Sequence, residues 1–136
     1  MNRREFQKLA ELRLRDAEVL LDNRRYDAAY YLAGYAVECA LKACIAKHTK
    51  RHDFPSKSSR ELYVHDLKKL AEFAFRNGEF ARERDGDPIL AGYWGTVKEW
   101  SEDSRYEPQE RNRAKVLLMA VGDKTHGVVR CIRKYW

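Results

Sequence analysis

The stretch that decides the fold is AAYYLAGYAVECALKACIA, residues 28–46. Its only charged residues are Glu38 and Lys42, and the acid precedes the base by one helical turn, the favourable order for an ion pair along a helix. Apolar residues recur on nearly every side at three- and four-residue steps. We therefore predict a helix that other helices surround, in which small residues such as Gly34 let its neighbours approach closely.

Length and composition are typical of a soluble, helical, single-domain protein. The chain has 136 residues, of which 44% are hydrophobic and 35% charged, with only three prolines and seven glycines. A chain of this length can bury a core of its own. The two charges and the many alanines of residues 28–46 favour a core helix over a membrane span. We predict one domain over residues 1–136, with neither a signal peptide nor a membrane anchor.

The charge and the cysteines indicate the partners and the compartment. The formal net charge is +6 and the pI about 9.3, which favours a polyanionic partner such as nucleic acid. The three cysteines have neither the paired spacing of a zinc site nor the even count of a disulfide framework. We therefore expect reduced core thiols, no metal or cofactor, and a cytoplasmic protein.

Hydrophobic periodicity predicts the other helices. Residues 3–21 form an amphipathic helix, and the short link DNRRYD, residues 22–27, makes it an antiparallel neighbour of the core helix. We predict loops for the polar segment after residue 46 and for the charged residues 79–87. Further helices are predicted, in chain order, at residues 65–76, 88–100 and 108–135. The pattern is that of an all-α, antiparallel up-and-down bundle of four to five helices.

Residues 29–43, AYYLAGYAVECALKA, also carry the most specific part of a resemblance to a known family. Together with HDLKKLAEFA at residues 65–74 and RYEP at residues 105–108, they resemble the HEPN domain family in an order that spans nearly the whole chain. The resemblance implies a helical bundle that commonly forms a dimer and often works beside a nucleotidyltransferase. Many members are metal-independent ribonucleases in which an Arg, followed after four to six residues by a His, forms the catalytic pair.

The chain departs from this catalytic motif. No Arg of the predicted closing helix has a His at the required distance, and the only match, Arg60 to His65, lies at the end of the polar loop. Chance alone accounts for one such pair in a chain this rich in arginine. The missing pair favours a binding module over an enzyme. The alternatives are a metal-independent, toxin-type endoribonuclease with a displaced Arg/His pair and a pure protein-interaction module.

The candidate catalytic residues are His65, Arg60 and His126. His65 could act as a general base, but with Asp66 it equally suits a helix start. His126 lies one helical turn before Arg130, which begins a basic run toward the C-terminus. A solvated helix face is the simpler interpretation of that run.

The candidate ligand-binding residues are Arg105, Tyr106, Arg130, Glu38 and Lys42. The guanidinium of Arg105 could bind phosphate while the ring of Tyr106 stacks on a base. The alternative is an Arg paired with an acid two or three positions before it, and a Tyr packed on the core. Glu38 and Lys42 could orient a ligand, although an ion pair at the bundle edge explains them more simply. The leading hypothesis is a HEPN-like dimer that binds a nucleotide, RNA or a nucleotidyltransferase partner.

Overall fold

The structure is a computed structural model that describes residues 1–48 and 65–136. These residues form seven α-helices and one 3₁₀ helix, and they contain no strand. The helices, in chain order, are α1 (Arg3–Asp22), α2 (Tyr26–Lys47), α3 (Leu67–Ala74), α4 (Glu79–Asp85), α5 (Pro88–Val97), the 3₁₀ helix (Glu102–Tyr106), α6 (Arg111–Gly122) and α7 (Val128–Arg133). The all-α helical bundle expected from the sequence is confirmed.

Helix α2 lies at the centre of the bundle, as its composition predicts. Fourteen of its 22 residues are buried, and α1, α3, α6, α7 and the 3₁₀ helix all pack against it. Gly34 allows a further close contact, because the indole ring of Trp100, which lies between α5 and the 3₁₀ helix, packs directly against the backbone at this position. The small residues of α2 therefore do what the sequence predicts, and they let neighbouring segments reach its backbone.

Side chains cap the helices at the predicted starts. Asn2 and Glu5 form a reciprocal capping box at the start of α1. Asp66 caps α3 and Asp87 caps α5, since each carboxylate accepts hydrogen bonds from two backbone N–H groups of the first turn. Pro88 follows in the first turn of α5, where its missing N–H costs nothing.

Helix α4 is a difference from the prediction, which assigned residues 79–87 to a loop. The segment is helical because Phe80 anchors it to the core: this residue is only 3% exposed, and its ring stacks on Phe75 with centroids 5.1 Å apart. A helix this short is not stable alone and depends on such packing. Phe80 is a single large apolar residue among charged ones, and one such residue in a seven-residue segment gives no periodicity from which a helix can be predicted.

The closing helix also differs, because the predicted helix over residues 108–135 is two helices joined by a turn. The backbone leaves the helical conformation at Asp123, where ψ is 127°, and the Asp123 carboxylate accepts hydrogen bonds from the Thr125 N–H and the Tyr93 hydroxyl. At Gly127 an added Cβ would lie 2.3 Å from the Asp123 carbonyl oxygen. The chain therefore bends between Gly122 and Gly127.

The apolar core extends across the helices of the described residues and contains all three cysteines as free thiols. Burial raises the pKa of the Cys39 and Cys44 thiols to about 12 and that of Cys131 to about 11. Within residues 1–48 and 65–136, no helix has both the length and the apolar composition that crossing a membrane requires.

Candidate functional site

Glu38 of α2 is the centre of a group of charged side chains. The residue is only 1% exposed, and its two carboxylate oxygens lie 3.0 Å from Nζ of Lys42 and 3.0 Å from Nδ1 of His65. The other ring nitrogen of His65 lies 3.3 Å from Oε2 of Glu102 on the 3₁₀ helix. A buried carboxylate requires such partners, because the desolvation of an unpaired charge is costly.

The predicted ion pair between Glu38 and Lys42 is therefore present, but its predicted place at the bundle edge is wrong. Lys42 is 9% exposed and Glu38 1%, because other segments of the bundle cover this part of α2. His65 is one of the residues on that side, and it was predicted as a candidate for catalysis and not as a partner of Glu38. The structure thus joins three predicted site residues in one cluster.

A cleft of about 330 Å³ opens beside His65. Lys68 and Lys98 line it together with acidic residues of the 3₁₀ helix, so its charge is mixed. No described arginine lines this cleft, and Arg60, the predicted partner of His65, lies outside the described residues. The described ranges also contain no group of three His, Cys, Asp or Glu side chains that could hold a metal ion.

Arg105 and Tyr106 lie at the end of the 3₁₀ helix and point away from the core. Tyr106 is 75% exposed, and the guanidinium of Arg105 lies over its ring, 4.8 Å from the centroid. The nearby Tyr106 and Tyr31 raise the pKa of Arg105. Within the described residues Arg105 forms no ion pair with an acid, and Glu102 contacts His65 instead. The alternative interpretation, a paired Arg beside a core Tyr, is therefore wrong.

A second, larger cleft of about 560 Å³ lies where the end of α1 meets the starts of α2 and α6. Arg24, Arg111 and Lys115 line it with the carboxylate of Asp22, so three cations face one anion and the formal charge is +2. None of the three cations has an ion-pair partner within the described residues. This cleft, which we call the basic cleft, is suited to an anionic ligand.

Arg24 has an unusual backbone conformation in the turn between α1 and α2. Its φ is 60°, and it is the only non-glycine residue with a positive φ in the described chain. This left-handed region is unfavourable for a residue that carries a side chain. The backbone is therefore strained at Arg24, the residue of this turn whose side chain lines the basic cleft.

The segment between the 3₁₀ helix and α6 brings Arg105 and the basic cleft to the same end of α2. The backbone N–H of Gln109 donates a hydrogen bond to Asp27 in the first turn of α2. In the first turn of α6, the guanidinium of Arg113 lies 5.4 Å from the centroid of the Tyr30 ring. We call this end of the bundle the basic end, and its cations are Arg24, Arg105, Arg111, Arg113 and Lys115.

His126 and Arg130, although one turn apart in sequence, have separate surroundings. Nδ1 of His126 lies 2.8 Å from Oδ2 of Asp87, and this hydrogen bond lowers the pKa of the Asp87 carboxyl. Arg130 lines another cleft of about 530 Å³ that His126 does not line. His126 therefore connects the α6–α7 turn to the start of α5.

Comparison with known protein families gives a match to the HEPN domain over residues 4–122. The chain belongs to the HEPN domain family. The match extends from the start of α1 to the end of α6 and leaves α7 outside it. Comparisons with curated proteins and with solved structures found no match.

In this HEPN domain, five of the residues that the sequence singled out fall into two groups. Glu38, Lys42 and His65 form the cluster on α2, whereas Arg105 and Tyr106 belong to the basic end. The sequence analysis missed Arg24, Arg111 and Lys115, which line the basic cleft. The only sequence signal for them is the pair of short basic runs NRR, at residues 23–25, and RNR, at residues 111–113. In a chain with 35% charged residues, that signal does not stand out.

Proposed function

We propose that this HEPN domain binds RNA or a nucleotide through its basic end, with a phosphate group in the basic cleft. The observation that carries the proposal is a cleft of about 560 Å³ lined by three cations that form no ion pair with any described residue. Arginine suits this role because its planar guanidinium donates two parallel hydrogen bonds to phosphate oxygens. Within residues 1–48 and 65–136, no ion pair has to break before these cations can bind an anion.

The exposed ring of Tyr106 supports a ligand that also carries a base. Aromatic rings and guanidinium planes are the surfaces on which unpaired bases stack. Tyr106 supplies such a ring beside the guanidinium of Arg105, and the five residue steps from Tyr106 to Arg111 span at most about 18 Å. A short single strand can therefore place a phosphate at Arg111 and a base at Tyr106.

The endoribonuclease alternative requires a histidine and an arginine at one phosphate-sized cleft. The described residues that line the His65 cleft include lysines but no arginine, and His126 contacts Asp87. This geometry supports binding more than cleavage. Incubation of a mixed RNA pool with the protein in EDTA, beside His65→Ala and His126→Ala variants, tests the alternative, since cleavage lost in one variant would establish it.

Homodimerisation and a nucleotidyltransferase partner remain part of the proposal on the strength of the family resemblance. Partly exposed apolar side chains on α1 and α6 give a second copy something to contact: Val19 is 60% exposed, Val116 54% and Met119 59%. Light scattering on the purified chain gives its mass directly. A monomeric mass at every concentration would remove the dimer from the proposal.

Binding is best measured by the fluorescence anisotropy of a labelled single-stranded RNA oligonucleotide, titrated at several salt concentrations. We expect Arg111→Ala to weaken binding about tenfold and to reduce the salt dependence, because one phosphate contact is lost. Arg76→Ala is the matched control, since Arg76 is also exposed but lines none of the described clefts. Equal losses in the two variants would refute a specific role for the basic cleft.

A further inference from the structure

Glu102 has two possible partners, His65 and Arg105. In a 3₁₀ helix the side chains at positions i and i+3 lie one above the other, so Glu102 and Arg105 share a face of the helix Glu102–Tyr106. An acid and an arginine in this arrangement normally attract each other. The structure nevertheless pairs Glu102 with Nε2 of His65, at 3.3 Å, and leaves Arg105 over the ring of Tyr106.

The position of His65 is set from its other side. Its Nδ1 lies 3.0 Å from the buried carboxylate of Glu38, which belongs to the central helix of the bundle. Asp66, the next residue, caps α3 and thereby fixes the backbone beside the ring. His65 is therefore anchored to α2 and α3, and its free side is turned to the carboxylate of Glu102.

We infer that His65 is a positioning residue that holds Glu102 away from Arg105 and so keeps the guanidinium available for phosphate. The inference rests on the proposed function, because it concerns the same basic end of the domain. Without His65, the Glu102 carboxylate would pair with Arg105, and a phosphate would have to displace it. His65 thus acts on the ligand through two other side chains and does not touch the ligand itself.

The experiment compares the binding of the labelled RNA by His65→Gln, Glu102→Gln and the double variant. Glutamine at position 65 has no imidazole ring and therefore no second nitrogen that can contact Glu102. We expect RNA binding to be about threefold weaker, a change that corresponds to the free energy of one exposed ion pair. Glu102→Gln breaks the same contact but also removes the competing carboxylate, so its binding should equal or exceed that of the wild-type protein. The double variant should then recover the affinity that His65→Gln lost.

The matched control is His126→Gln, since His126 also contacts a carboxylate, that of Asp87, at 2.8 Å, but lies outside the basic end. Its RNA affinity should not change. If His65 had a merely structural role, Glu102→Gln would weaken RNA binding, and the double variant would bind as weakly as His65→Gln. Either result would overturn the inference. Because Glu102→Gln alone distinguishes the two roles, the test stands even if His65→Gln does not fold.

A failure of the proposed function can be distinguished from a failure of the inference about His65. If the wild-type protein binds no RNA, the basic-end proposal is lost, but the competition for Glu102 can still be read from the free protein. The NMR signal of the Arg105 side-chain N–H should shift in His65→Gln and return in the double variant. An unchanged signal in His65→Gln would overturn the inference without reference to any ligand.

Discussion

Gly34→Ala should destabilise the fold, although alanine is the better helix former. The added Cβ would lie 2.2–2.3 Å from three ring atoms of Trp100, whereas carbon atoms in contact normally lie about 3.5 Å apart or more. The indole must therefore move by about 1.3 Å. It has little room to do so, because Trp100 is 3% exposed and its ring packs beside Tyr31, with centroids 5.9 Å apart.

The expected change in the free energy of unfolding follows from two opposing terms. Overpacking of this severity costs about 3 kcal/mol. The higher helix propensity of alanine offsets about 1 kcal/mol of that cost. The net loss of about 2 kcal/mol lowers the melting temperature by roughly 7 °C in a domain of this size.

Gly92→Ala is the matched control for Gly34→Ala, because Gly92 lies inside α5 and a Cβ there would meet nothing within 4 Å. The same chemical change should therefore stabilise the protein by up to about 1 kcal/mol. Urea or thermal unfolding, followed by circular dichroism, measures both variants. If the two substitutions shift stability in the same direction, the close contact between Gly34 and Trp100 is not what determines the residue at position 34.

Three further predictions concern buried or paired groups. Glu38→Gln should lower the free energy of unfolding by roughly 3 kcal/mol, because Lys42 and His65 lose a buried carboxylate partner; a urea titration with a loss below 1 kcal/mol would contradict it. The lowered pKa of Asp87 means that its contact with His126 stabilises the fold above about pH 4 and is lost as the pH falls through the folded-state value. Thermal melts from pH 3 to pH 7 should therefore show a weaker acid dependence in Asp87→Asn, which retains a cap, and an equal dependence would refute the linkage. The thiols with raised pKa should not react with a thiol reagent at pH 8 in the native protein, and all should react once it is unfolded; fast native labelling would show that burial does not protect them. These thiols are Cys39, Cys44 and Cys131.

The sequence predicts the local features of the fold well because their causes are local. The periodicity of α1 and α2 and the caps at Asp66 and Asp87 depend on residues within a few positions of each other. Helix α4 and the division between α6 and α7 were missed for the opposite reason. They depend on Phe80 packing against Trp94 and on Asp123 accepting a hydrogen bond from Tyr93, and these partners come from other segments of the chain.

The candidate site was predicted only in part. Glu38 and Lys42 were selected because a charge inside an apolar helix requires a partner, and Arg105 and Tyr106 because their chemistry suits a nucleotide. The sequence offered no reason to join His65 to Glu38 or to group the cations of the basic cleft. Exposed arginines are common in this chain, and their clustering becomes visible only when the helices are packed.

By itself, the sequence determined the central helix, its buried face and the helical class of the domain, because hydrophobic periodicity and cap chemistry act over one or two turns. Only the tertiary structure decided which residues pack against each face of a helix. It placed His65 between Glu38 and Glu102. It also placed Arg24, from the turn between α1 and α2, in the same cleft as Arg111 at the start of α6. Periodicity tells which side of a helix is buried, but the partner across the contact depends on how all the helices pack together.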